Sequence, residues 1–349
     1  NNDGCIIARS PEVKALGIKM GTPLFQCKAT LRQYHVNLFS SNFSLYADLS
    51  SRVINTIKSM IESSTSLRVE VYSIDEAFID LKGWHHDHLE SLANSLRQTI
   101  FKQTGIPVSI GIGLTKTLAK VATRLAKDSC SGTYLISSER DRLKSLYQLP
   151  IADVWGIGRR WADRLQRLGI DRAFDLSIAS HDQIKRAARH SYLLRVAKEL
   201  NGERCIPLNL SPPARSSIQY SRSFAHAIKD RAVLEDMISA FAGQLGRRLR
   251  SHNLRAGSLL LWLSAPLINN YKHKGKPSTY RLKMTLALPI YTDDSSTLIQ
   301  CALHLMSLLI KKAKYETSKS FSWRKAGLIA VDLRDDSQLE LALIQPNPK

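Results

Sequence analysis

Val69-Glu70-Val71-Tyr72-Ser73-Ile74-Asp75-Glu76-Ala77-Phe78-Ile79-Asp80 sets two adjacent carboxylates, Asp75 and Glu76, between two runs of strand-forming residues. Side chains alternate faces along a straight strand, so this pair can share an ion only where the strand bends. A tight hairpin tip at Ser73-Ile74-Asp75 supplies that bend. Hard divalent ions such as Mg²⁺ prefer oxygen ligands and are held by one or two carboxylates plus substrate phosphates, which suits the pair. The same two residues also read as an exposed strand end that is merely acidic.

Strand and helix patterns alternate outward from this hairpin. Leu49, Val53, Ile54, Ile57, Met60 and Ile61 recur at helical spacing between Tyr46 and Ile61, and Leu92, Leu96 and Ile100 do so between Leu89 and Phe101. Val108 to Gly113 reads as a buried strand and Lys116 to Leu125 as the helix that follows it, so this part is an α/β sheet domain. Before it, residues 1–47 are short elements joined at Asp3-Gly4 and Gly21-Thr22-Pro23, with a helix over Pro11 to Gly17. Leu149-Pro150 opens a helical region that runs to Leu208, and Pro212-Pro213 closes it. Strands return after Ile218: Ser258 to Leu263 and Tyr280 to Leu288 bracket a loop, while Val233 to Leu249 and Ser296 to Ala313 are helical, which makes a compact α+β module.

The 349 residues are enough for two to four domains with real cores. Lys and Arg number 50 against 30 Asp and Glu, a formal charge of +20, of which residues 206–330 alone carry +13. Such an excess points to a polyanionic partner, nucleic acid first, with the C-terminal module as its footprint. Five scattered cysteines without a CxxC pair indicate neither a disulfide framework nor a zinc ribbon and fit a reducing cytoplasm. Neither a signal peptide nor a membrane span is visible; the longest apolar patch, Leu298 to Ile310, is interrupted by Gln300 and His304.

Lys116-Thr117-Leu118-Ala119-Lys120, then Lys127, open a helix right after the Gly111-Ile112-Gly113 strand end. Helix N-terminal N–H groups and nearby lysines form a phosphate site, so beside the carboxylates they make a triphosphate clamp opposite a metal platform; a solvated basic face is the plainer reading. Val154-Trp155-Gly156-Ile157-Gly158-Arg159-Arg160 has the glycines of a helix-hairpin-helix that bonds DNA phosphates without reading sequence, or of an ordinary αα-hairpin. Arg247, Arg248, Arg250 and Arg255, then Lys272, Lys274, Lys276, Arg281 and Lys283, are candidates for tracking a phosphate backbone, with Tyr271 and Tyr280 near them as stacking or packing residues. His85, His86 and His88 lack a second ligand cluster at zinc spacing and fit a polar loop. No Ser-His-Asp set or Walker sequence is present, and a helix-hairpin-helix nuclease leaves the lysines unexplained.

Taken together, these pieces resemble the Y-family translesion DNA polymerases, in their UmuC-like branch. The resemblance rests on Asn1-Asn2-Asp3-Gly4-Cys5-Ile6-Ile7-Ala8-Arg9, Ala15-Leu16-Gly17-Ile18-Lys19-Met20-Gly21, Phe39-Ser40-Ser41-Asn42, Leu45-Tyr46-Ala47-Asp48, Tyr72 to Phe78, Thr115 to Lys120, Asp153 to Arg160 and Ser221-Arg222-Ser223-Phe224, in that order. It implies a right hand: fingers over 1–47, a palm over 48–148, a helix-hairpin-helix thumb over 149–212, a DNA-binding little finger over 216–330 and a tail over 331–349. It also implies metal ligation and catalysis by Asp75 and Glu76, nucleotide contacts from Lys14 and Lys127, and DNA contacts from Gly156, Gly158, Arg159, Arg160, Arg222 and the C-terminal basic residues. Lys14 stands where many relatives outside the branch carry Arg, so a bidentate clamp is not available there. Pro11 stands where those relatives carry a triphosphate-binding Tyr.

The implied chemistry is phosphodiester formation from primer-template DNA and a dNTP, with two Mg²⁺ ions about 3.5–4 Å apart. The implied setting is the SOS response, with UmuD′-like subunits, RecA and a sliding clamp as partners. The family's remaining metal-binding Asp lies in a short strand that would precede Asn1, so the resemblance implies an N-terminally incomplete chain with an impaired site. The competing expectation is a non-catalytic DNA-binding remnant. Gln338-Leu339-Glu340-Leu341-Ala342 resembles a clamp-docking peptide, with Ala342 where an aromatic anchor is expected, which implies weak docking.

Overall fold

A computed structural model describes residues 4–62, 68–187, 191–211, 214–266, 279–317 and 321–335. It divides into two compact units, one formed by residues 42–212 and the other by residues 1–41 with 213–349.

In the first unit the long amphipathic helix Phe43–Glu62 packs on the helix Leu89–Thr104, burying Ile57, Ile61 and Ile100 with Val69, Ile79 and Val108 around them. Gly105, at φ +71°, ends the second helix in a left-handed conformation open to glycine. The hairpin strands Val69–Val71 and Ala77–Ile79 pair antiparallel, and Ile110–Ile112 pairs parallel with Thr133–Leu135. Among the described residues these are two separate two-stranded sheets of three-residue strands. Ile110–Ile112 is accordingly half-buried rather than buried.

The helix Lys116–Ala126 sits directly on Ile110–Ile112, and the strand glycines make that approach possible. A Cβ on Gly111 would lie 2.0 Å from the Thr123 amide nitrogen, and one on Gly113 2.8 Å from the Leu118 backbone. Leu118 and Val121 of this helix are buried together with Leu149, Ile151, Val154, Leu165, Leu176 and Leu193, so one core runs through Leu149-Pro150 rather than stopping there. The helices Arg159–Gln166, Ala173–Ile178, His181–Ala187 and Ser191–Leu200 complete the helical region.

In the second unit, Pro11–Ala15 and Leu24–Gln33 enclose a small cluster of Ile18, Cys27 and Leu31. The C-terminal module is a four-stranded antiparallel sheet in the spatial order Ser217–Ile228, Trp323–Asp335, Leu254–Pro266, Thr279–Thr292. The helices Arg231–Ser251 and Ser295–Thr317 cover one face, burying Phe241, Leu245, Leu261, Leu305 and Leu328. Trp323–Asp335, like Ser217–Ile228, is a strand whose bounds the sequence pattern does not mark, and it runs five residues past 330, where the sequence places the end of the module. Among the described residues no helix is long and apolar enough to cross a membrane.

Candidate active site

The acidic hairpin bends where its sequence requires. The Tyr72 and Ser73 amides both donate to the Glu76 carbonyl at 3.0 Å, which leaves Ser73-Ile74-Asp75 as the tip. Asp75 is exposed and accepts a 2.6 Å hydrogen bond from the Ser73 hydroxyl, while Glu76 is half-buried at the base of the turn. Glu70 lies directly opposite Phe78 in the ladder and therefore shares its face.

The helix Lys116–Ala126 presents two lysines one turn apart to this hairpin. Lys116 donates to Glu70 Oε2 at 2.6 Å and to the Pro207 carbonyl at 3.2 Å, and its ammonium lies 4.6 Å from the centre of the Phe78 ring. Lys120 is ion-paired with Glu76. The phosphate site expected at this helix N-terminus is already filled. Thr115 caps it by accepting from the Leu118 amide at 3.1 Å, and the fully buried Glu199 carboxylate accepts from the Thr117 amide at 2.9 Å and the Thr117 hydroxyl at 2.8 Å. The other Glu199 oxygen takes the Cys205 and Ile206 amides at 3.1 and 2.8 Å. An internal carboxylate thus holds the positive helix end, and the clamp expected of Lys116 and Lys120 is replaced by two pairs with hairpin glutamates. Lys127 is exposed at the C-terminal end of the helix, about 16 Å along the axis from Lys116.

The second glycine motif forms a single 3₁₀ turn, Ile151–Asp153, then a tight bend into Arg159–Gln166. Gly156 is at φ +82°, and a Cβ there would lie 2.0 Å from the Tyr192 hydroxyl. Gly158 begins the following helix without a side-chain cap, and Arg159 and Arg160 are exposed on its first turn. Trp155, beside Gly156, meets Tyr72 and Phe78 edge-on with ring centres 5.4 and 5.7 Å away. The hairpin bend and the glycine bend are therefore packed on one another.

In the C-terminal module the basic residues divide between two surfaces. Strand register places Ser221, Gly327, Trp262 and Lys283 in one row across the uncovered sheet face, with Ser223, Lys325, Ser264 and Arg281 in the next. Trp262 lies across Gly327, where a Cβ would sit 2.4 Å from the indole, and Arg281 lies 4.8 Å over the Trp262 ring. Arg222 and Arg248 instead flank Tyr220 at 4.9 and 5.1 Å, and Tyr220 packs toward the helix-covered core. Arg247 is exposed on the helix Arg231–Ser251, and Arg250 of that helix donates to the Asp293 carbonyl at 2.5 Å. Tyr280 stacks on Phe321 within the module, which is packing rather than a free platform. Lys272, Lys274, Lys276, Tyr271 and the peptide Gln338–Ala342 lie outside the described residues. His85 stands 3.3 Å from Asp87, and the three histidines are exposed.

Residues 1–124 match the impB/mucB/samB family and residues 215–343 match that family's C-terminal domain. Protein ImpB of Salmonella typhimurium is 35% identical over 338 residues, which covers 95% of this chain and 75% of its own length. Protein UmuC of Salmonella typhimurium strain LT2 is 34% identical over 352 residues, covering 99% and 79%. The chain belongs to the UmuC-like branch of the Y-family DNA polymerases. A solved Y-family DNA polymerase chimera, Dbh-Dpo4(243-245)-Dbh, shares the fold, with a TM-score of 0.70 at 18% identity over 96% of this chain and 89% of its own.

In this Y-family chain the acidic hairpin offers two carboxylates on one bend. They fit a hard divalent ion that takes the rest of its oxygen shell from substrate. Among the described residues no three His, Cys, Asp or Glu side chains are grouped so that they could hold a metal ion. Glu70 and Trp155 pack the hairpin and Glu199 holds the N-terminus of the facing helix, and the sequence singles out none of them for these roles. The one available signal was the acidic Glu70 between two valines of a strand.

Proposed function

We propose that this chain carries out error-tolerant, template-directed DNA synthesis across lesions, adding a dNTP to the primer 3′-hydroxyl with release of pyrophosphate. The observation that carries the reading is the Asp75-Glu76 bend facing a lysine-bearing helix in a chain of this family. Residues 48–148 serve as palm and 149–212 as thumb, whose bend at Gly156 and Gly158, with Arg159 and Arg160, takes backbone phosphates of the duplex. The little finger over 216–330 supplies Arg281, Lys283 and Lys325 from one sheet face to further phosphates, and 1–47 serve as fingers. Lys127, exposed and clear of the hairpin glutamates, is assigned to the triphosphate.

Asp75 and Glu76 would hold the divalent cation, read as two Mg²⁺ ions, and bound there it would supply polarisation of the primer hydroxyl and charge neutralisation at the leaving pyrophosphate. What this chain does itself is orient: Ser73 fixes Asp75, and Lys116 with Phe78 and Glu70 fixes the hairpin arms. The setting is the SOS response in the cytoplasm, with UmuD′-like subunits, RecA and, through a weak peptide, the sliding clamp as partners.

Primer extension with Mg²⁺ and dNTPs on undamaged and lesion-bearing templates tests the reading. Incorporation that is lost in Asp75→Asn and Glu76→Gln, while salt-sensitive DNA binding persists, is the expected result. The competing reading is a non-catalytic DNA-binding remnant of such a polymerase. Tight DNA binding without incorporation by the unaltered chain would establish it instead.

A further inference from the structure

Lys116 and Lys120 each pair with a glutamate of the same hairpin, but the two pairs differ in kind. Lys116 and Glu70 are 10% and 6% exposed, and fixed groups surround them: the Pro207 carbonyl, the Phe78 ring and the Asn209 amide, which donates to Glu70 at 2.8 Å. Lys120 and Glu76 are 18% and 34% exposed, and among the described residues the Lys120 ammonium bonds to Glu76 alone. The first pair is a buried staple whose charges satisfy each other and their neighbours. The second is half-open and held by one contact, on a carboxylate needed for something else.

We propose that Lys120 is a resident counter-cation of the metal platform: its ammonium holds Glu76 in the ion-free chain and yields the carboxylate when a divalent ion arrives. This rests on the reading of Asp75 and Glu76 as metal ligands. An ammonium and a divalent ion repel one another at a shared carboxylate, so Lys120 opposes ion binding to the chain by itself. The displaced ammonium stays tethered beside the platform, where an anionic substrate offers it a new partner. Ion and substrate therefore support each other's binding through this one side chain, as reciprocal coupling requires. Lys120 is in this sense a positioning residue: it keeps Glu76 at the bend and makes the platform selective for ions that arrive with negative charge.

The test is titration of the full chain with Mn²⁺ alone, with free Mn²⁺ read by electron paramagnetic resonance. Lys120→Met should bind about two- to fivefold more tightly than the unaltered chain, the range expected for removing one half-exposed charge. Lys120→Arg should keep the original affinity. The gain should vanish in Lys120→Met combined with Glu76→Gln. Lys144→Met, exposed on the helix Glu139–Gln148, controls for net charge and should leave the affinity unchanged. Circular dichroism checks folding, and Lys120→Gln replaces Lys120→Met should the latter misfold. Equal or weaker binding by folded Lys120→Met overturns the role of Lys120 and leaves the metal platform standing. Mn²⁺ binding that Asp75→Asn and Glu76→Gln do not reduce, or no binding at all, overturns the platform and the role together.

Discussion

Glu199 is fully buried, and its carboxylate accepts four hydrogen bonds, two from Thr117 and two from the amides of Cys205 and Ile206. Charge-assisted bonds of this kind contribute about 1.5–3 kcal/mol each, and a donor left facing another donor adds a desolvation cost. Glu199→Gln puts an NH₂ group toward one donor pair, so it should destabilise the chain by about 2 kcal/mol or more, read as a lower urea midpoint at constant slope. An unchanged midpoint would mean that the helix end is held by Thr115 alone. Asp75 and Glu76 were legible in the sequence because adjacent charges between apolar strand residues are uncommon, whatever they face. The partners of Glu70 and Glu199 were not, since the lysine and threonine lie 46 and 82 residues away and each pairing exists only once the chain has folded.

The glycine bend and the acidic hairpin meet through Trp155, Tyr72 and Phe78, whose rings form an edge-to-face trio. Gly156 makes the bend possible on two counts, its φ of +82° and the Tyr192 hydroxyl where a Cβ would be. Gly156→Ala is therefore expected to cost more than about 1 kcal/mol and to weaken duplex binding, measured by denaturation and by fluorescence anisotropy. Gly158→Ala, with no atom within 4 Å of its Cβ, should leave stability within about 0.5 kcal/mol and so separates strain from any loss of phosphate contact. Helices with strong apolar periodicity, such as Phe43–Glu62, came through clearly from the sequence, and so did the hairpin. Trp323–Asp335 did not, although Ala326 to Val331 is apolar throughout. It lies inside the sheet, with helices under one face and Trp262 over Gly327 on the other, so the polar alternation that marks a surface strand is absent.

At the scale of the whole molecule the excess charge of +20 predicts salt-sensitive DNA binding, but not which arginines and lysines produce it. The C-terminal module separates two groups that are alike in sequence. Arg222 donates to the Tyr220 hydroxyl at 3.1 Å and Arg248 to the Gln219 carbonyl at 2.8 Å, and both flank the Tyr220 ring, so their guanidinium groups already have partners in the fold. Arg281 and Lys283 stand two positions apart on the strand Thr279–Thr292, both exposed on the uncovered face, where Arg281 also lies over the Trp262 ring, so the contrast with Arg222 and Arg248 rests on the hydrogen bonds of the latter pair. Each phosphate contact contributes about −0.9 to the slope of log affinity against log salt. Arg281→Ala with Lys283→Ala should therefore make the slope less steep by about 2, without sequence preference, in fluorescence anisotropy titrations of duplex DNA across a salt series. Arg222→Ala with Arg248→Ala should leave the slope nearly unchanged and lower the denaturation midpoint instead, because what it removes is stacking on Tyr220. The opposite assignment, a shallower slope for the Arg222 and Arg248 pair, would move the phosphate-contacting surface from the open sheet face to the edge where Tyr220 lies.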